Sequence, residues 1–180
     1  RITDMIQRKT ADGAVTIDDM RDIQADNEFL IGKRLTAAYM DVSTGDEGAD
    51  AALELLRSWN AQNDADSAAA AYANVLWNEL VQNIFVRGRE HAAPTTDQAR
   101  LFLLVDELLD DPSSQWWRNS GLDVSGQQDM LTLSAQDAYR TLTELQGDNQ
   151  SRWNWGSLHA LSLRSDTFGS SGIAPIEYLF

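Results

Sequence analysis

The chain has 180 residues, with 28 acidic side chains against 14 basic, a formal net charge of −14 and no cysteine. That length supports one hydrophobic core, and the negative charge argues against phosphate backbones and anionic membrane surfaces as partners. Disulfides, thiolate nucleophiles and cysteine-ligated zinc are excluded, and the best apolar run, "LFLLVDELL" (101–109), is short and interrupted by Asp106 and Glu107, so no bilayer span is expected.

"TIDD" (16–19) has the form of a capping box, with Thr16 as N-cap and Asp19 three residues on. From there Met20, Ile23, Asn27, Leu30, Ile31, Leu35 and Ala38 recur at three- and four-residue steps, which predicts one helix to about Met40. "STGDEGAD" breaks it, and a short helix carries Leu53, Leu56 and Trp59. "SAAAAYANVLWNELVQNIFVRGR" (67–89) is apolar on more than one face, as a central helix contacted from several sides must be. "AAPTTDQ" starts the next helix, with Thr95 and Gln98 at capping-box spacing. That helix is apolar nearly all round and ends at "DDPSS".

Beyond Pro112 the pattern predicts a short helix and a loop. A further helix over "LSAQDAYRTLTELQG" follows, capped by Ser134 and Asp137 and closed by Gly147. In "SRWNWGSLHAL" (151–161), Leu158, Leu161 and Trp155 mark the buried side of a last helical segment. Residues 164–180 carry Gly, Ser and Pro without helical period and read as a loop or extended tail. Strand signals are nearly absent. The fold class is therefore all-α: a single domain over 1–180, about six helices in an array.

Candidate chemistry is sparse. His91 and His159 lie far apart, with no HExxH and no EF-hand spacing, so no metal site is predicted. The pairs Asp18/Asp19, Asp106/Glu107 and Asp110/Asp111 are adjacent on helices and do not face each other, which makes them solvated surface rather than acid–base pairs. Six tryptophans among many carboxylates could suit a sugar, but scattered helical Trp is more simply core. Gln24, Asn27 and Arg34 lie on or near the first apolar stripe. They either form a hydrogen-bonded core network or line a face that meets another part of a larger protein. His159, without a carboxylate close in sequence, reads as structural. By composition and spacing alone the chain is an acidic all-α domain.

Three stretches, in order, resemble one family. "TIDDMRDIQADN" (16–27), "ALELLRSWNAQNDADSAAAAYANVLWNEL" (52–80) and "WNWGSLH" (153–159) are similar to motifs of the β-subunit of penicillin acylases. Asn60 departs from the usual aspartate, and the typical small-residue run after Asp26 is missing. The resemblance implies a parent enzyme of the N-terminal-nucleophile class, with a four-layer αββα core from which this helical part is excised. Both ends of the chain, Arg1 and the apolar "IEYLF", also read as cuts. The parent would cleave small-molecule amides with a serine, or less often another nucleophile, exposed by self-cleavage. It would be secreted or periplasmic, and the partners of these residues would be the α-subunit and catalytic sheet of the same precursor. Nucleophile and oxyanion asparagine would precede the matched region. No cofactor is implied within these residues, and calcium, in members that carry it, is held mainly upstream. One site residue is carried over: Arg1, followed by Ile2 and a helix, matches an arginine that supports the oxyanion asparagine from behind. Trp153, Trp155 and His159 would pack a junction and not the site. The competing reading is a free-standing acidic interaction module without catalysis.

Overall fold

A helix that is apolar all round must be covered from all sides, and the central helix meets that condition. The computed structural model describes residues 1–11, 13–92, 97–161 and 173. Its centre is α5 (Ala68–Phe85), buried along nearly its whole length from Ala70 to Phe85. Around it stand α3 (Gly32–Ala38), α4 (Glu47–Arg57), α7 (Gln127–Gln146) and α8 (Trp155–Leu158). Short 3-10 turns at Gln115–Trp117 and Gln150–Arg152 close two further sides. With α1 (Ile2–Thr10), α2 (Ile17–Ala25) and α6 (Gln98–Asp110) the described residues form eight helices and no sheet. The fold is all-α as predicted, with two more helices than the periodicity suggested.

The α5–α7 interface is the most extensive in the fold, and on α7 the small side chains Ala135 and Ala138 are fully buried. Close approach lets the Tyr72 hydroxyl donate to the Ala135 carbonyl at 3.2 Å. A polar layer crosses the same interface. Buried Asn83 donates to Ser134 Oγ (3.2 Å) and to Asp137 Oδ2 (2.8 Å), and buried Glu79 pairs with Arg87 and accepts from Thr141 Oγ1 (3.1 Å). Ser134 and Asp137 are therefore interior residues of a helix that starts seven positions earlier, after Gly126, and not its caps. Their cap-like spacing arises from a need to satisfy Asn83 inside the core. Gly147, with φ 85°, does end the helix.

Three other expectations are corrected. The stripe from Met20 to Ala38 is two helices, broken at Asp26–Ile31, because that segment is strapped to residues 61–64. Phe29 N–H donates to the Ala61 carbonyl (2.8 Å), Asn63 N–H to the Asn27 carbonyl (3.1 Å), and Glu28 bridges Gln62. The cap of α6 is Asp97, whose carboxylate accepts from Arg100 N–H at 3.1 Å, and not Thr95, which lies outside the described residues. Leu161 is 83 % exposed, and α8 ends before it at Leu158. The Thr16–Asp19 capping box forms as read from the sequence. The expected tail, 164–180, lies outside the described residues except for Ile173, which is exposed.

Candidate functional site

The break between α2 and α3 brings the predicted site residue into a cluster. Arg1 stands at the N-cap of α1, which packs against α2 as a hairpin fastened by Lys9 to Asp19 (2.9 Å) and Asp22 (2.8 Å). From there its guanidinium reaches the chain just past α2. Nε donates to Asp26 Oδ2 at 2.9 Å and Nη2 to Asp26 Oδ1 at 2.6 Å, a two-pronged fork on one carboxylate. Nη1 lies 2.7 Å from Glu28 Oε2, and the other oxygen of Glu28 takes Lys33 Nζ at 3.3 Å. The three side chains of the clamp are 24 %, 13 % and 11 % exposed, in the order Arg1, Asp26, Glu28. Hydrogen bonding to Asp26 raises the Arg1 guanidinium, and the same bonds hold the Asp26 carboxyl below its usual range. Arginine has five N–H donors. Two are engaged by Asp26, and Nη1 faces Glu28 as an ion pair, which leaves N–H groups for a further acceptor.

Asp26 and Glu28 are the residues that sequence reasoning missed. Asp26 sits inside the quoted motif, but its partner is 25 positions away. The one signal that could have found the cluster is the polar run "QADNE", which interrupts an otherwise helical stripe.

The other polar residues of that stripe separate. Gln24 is exposed, whereas Asn27 donates to Asp64 Oδ1 at 3.0 Å and helps hold the strap. Arg34 is clamped on the surface by Asp106 and Asp110, each at 2.6 Å. Those two carboxylates, four residues apart on α6, face the same cation, so neither pairs with its sequence neighbour Glu107 or Asp111.

The "WNWGSLH" segment is a docking device, and nearly every residue in it has a contact that explains it. Trp153, 1 % exposed, stacks on Tyr72 with ring centres 6.3 Å apart and donates through Nε1 to the Gly147 carbonyl at 2.8 Å. Asn154 exchanges two 2.8 Å bonds with the Gln146 side chain, then caps α8 by accepting from Ser157 N–H at 2.9 Å. Gly156 N–H donates to the Ala65 carbonyl at 2.7 Å, and a Cβ on Gly156 would press on Ala65 at 3.2 Å. Trp155 stacks flat on His159 with ring centres 5.0 Å apart. His159 is exposed and forms no ion pair among the described residues. A nucleophile with a base in reach is not part of this arrangement.

No group of three or more His, Asp or Glu side chains among the described residues could hold a metal ion. No described helix is long and apolar enough to cross a membrane.

A family profile described as penicillin amidase matches residues 1–178. The chain belongs to the penicillin amidase family. A search of curated proteins finds no match. Within the penicillin amidase match fall all three motifs read from the sequence. The stretch 16–27 supplies α2 and Asp26, 52–80 supplies the second half of α4 and α5 as far as Leu80, and 153–159 docks against both α5 and the end of α7.

Proposed function

We propose that this chain is the helical portion of an amidohydrolase of the penicillin amidase type, which cleaves acyl-amine bonds in small molecules using a nucleophile supplied by residues outside these 180. The observation that carries the reading is the family match along residues 1–178. In such an enzyme a serine exposed by self-cleavage attacks the amide carbonyl, and its own α-amino group takes the proton. An α-amine, with a pKa of about 8, is suited to that task near neutral pH. The oxyanion is held by an asparagine side chain and a backbone N–H, donors whose value depends on being fixed before the charge develops.

Arg1 is the one described residue assigned to that chemistry, as a support for the oxyanion asparagine. Its remaining N–H groups could donate to the asparagine carbonyl oxygen and hold the amide so that its N–H points at the reacting centre. The clamped state of Arg1 supports the assignment, because a guanidinium already fixed by Asp26 and Glu28 costs little further ordering. The remaining partners of the chain are the α-subunit and catalytic sheet of the same precursor, and the enzyme is secreted or periplasmic.

The test is to express the complete reading frame, sequence the N-termini of the product and assay a panel of N-acyl-4-nitroanilides. Two chains, the second starting at Ser, Thr or Cys upstream of Arg1, with release of nitroaniline, are expected. One intact chain without hydrolysis would overturn the reading and leave an acidic interaction module.

A further inference from the structure

Resting on that reading, we infer that Asp26 and Glu28 are positioning residues: through Arg1 they set the orientation of the oxyanion support. A bare ion pair would be enough to fasten α1 to the rest of the molecule. The geometry here does more. Both oxygens of Asp26 engage two different nitrogens of Arg1, at 2.9 and 2.6 Å, and such a fork fixes the plane of the guanidinium as well as its position. Glu28 then pairs with the third nitrogen, Nη1, at 2.7 Å. Which N–H groups remain available is thereby decided by these carboxylates.

The carboxylates are themselves held. Asp26 is the C-cap of α2, and the residues that follow it are tied to the 61–64 segment by two backbone hydrogen bonds and the Asn27–Asp64 contact. Phe29 anchors the same strap in an aromatic cluster, with Trp59, Trp77 and Phe102 rings 6.1, 6.4 and 5.9 Å away. By contrast α1 packs chiefly on α2, and Ile2 and Ile6 on it are exposed. The orientation of Arg1 is therefore dictated from the carboxylate side.

The experiment uses the complete, self-processed protein and reads kcat and KM per processed, folded molecule together with the melting temperature. Asp26→Asn turns one fork oxygen into a donor facing a guanidinium, and Glu28→Gln and Arg1→Lys remove the third contact and the planar fork respectively. The inference expects kcat to fall about tenfold for Asp26→Asn and Arg1→Lys, less than the loss of an oxyanion donor itself, and by a smaller factor for Glu28→Gln. KM should stay within about twofold, since substrate binding is not touched. Because all three act through one fork, the Arg1→Lys/Asp26→Asn double variant should lose no more than either single variant. Should Asp26→Asn fail to fold, Glu28→Gln and Arg1→Lys carry the same comparison. A lowered melting temperature with unchanged kcat per folded molecule would make the clamp a fastener and overturn the inference while the amidohydrolase reading stands. A wild-type protein that neither processes itself nor releases nitroaniline would remove that reading and this inference with it.

Discussion

Replacing Trp153 by alanine tests whether the "WNWGSLH" segment is held by packing, as the structure has it, or is a surface site. The indole is 1 % exposed, lies nearly parallel to Tyr72 (interplanar angle 13°) and meets Tyr139 at 6.2 Å. Truncation of a buried aromatic of this size costs about 3–5 kcal/mol, from lost transfer free energy and the cavity left behind. Trp153→Phe retains most of the apolar area but gives up the 2.8 Å bond to the Gly147 carbonyl, and should cost about 1–2 kcal/mol. His159→Ala removes an exposed side chain and should stay within about 0.5 kcal/mol. Urea unfolding followed by far-ultraviolet circular dichroism, which does not depend on the tryptophan removed, gives the three midpoints at constant slope. A Trp153→Ala cost below about 1 kcal/mol would refute the docking argument. So would a complete loss of amide hydrolysis by the His159→Ala variant of the processed enzyme.

Gly121→Ala should destabilise by about 3 kcal/mol in the same urea assay, at the upper end for overpacking. Its Cβ would sit 2.6 Å from Gly88 Cα and closer still to the Gly88 carbonyl oxygen, and Gly88, at φ 65°, is backbone that cannot swing aside. Gly48→Ala sets two effects against each other: helix propensity favours alanine by under about 1 kcal/mol so near the start of α4, while the new methyl collides with the Tyr139 ring. Thermal melts should give a net loss of about 1 °C or more, turning to a gain in a Tyr139→Leu background. Asp50→Asn reports on pH. Thr44 donates to the Asp50 carboxylate from its N–H (2.7 Å) and hydroxyl (2.8 Å), and these bonds hold the Asp50 pKa below its usual value. A depressed folded-state pKa gives stability that is present above the unfolded value of roughly 3.9 and is lost as pH falls from there through the lower folded-state pKa. The variant should therefore be less stable than wild type at pH 7, with the gap closing below about pH 4. A gap unchanged at pH 3 would contradict the assignment.

What the sequence made legible were features decided locally. The capping box at Thr16 needs only residues three apart, and the burial of α5 follows from its own composition. The features it hid are decided by distant partners. Apolar spacing runs unbroken from Met20 to Ala38, yet the chain turns at Asp26–Ile31 because backbone bonds to 61–64 outweigh continued helix there. Ser134 and Asp137 look like an N-cap because Ser and Asp serve equally well to end a helix and to satisfy a buried amide. Which use applies depends on Asn83, 51 and 54 positions away. The same holds for the candidate site: Arg1 came from resemblance, and its partners could be found only once the break in the stripe had brought Asp26 and Glu28 to it.

The polar layer between α5 and α7 and the clamp on Arg1 belong to one mechanical argument. Apolar contacts alone tolerate more than one register of two helices, whereas a hydrogen-bonded layer favours one. Glu79 and Asn83 supply that layer, and the same Asn83 carbonyl, with that of Arg87, receives the Asn119 amide at 2.9 and 2.8 Å and so fixes the 3-10 segment beyond α6. Towards its other end, α5 presents Asn74, which donates to Asn63 Oδ1 at 2.8 Å. Asn63 in turn donates its N–H to the Asn27 carbonyl, one residue from Asp26 and one from Glu28. Hydrogen bonds thus join α5 to the strap, and the backbone carries on from Asn27 to the two carboxylates that hold the guanidinium of Arg1. A residue on the α1–α2 hairpin is therefore held by carboxylates on a strap that is itself hydrogen-bonded to the best-buried helix in the fold.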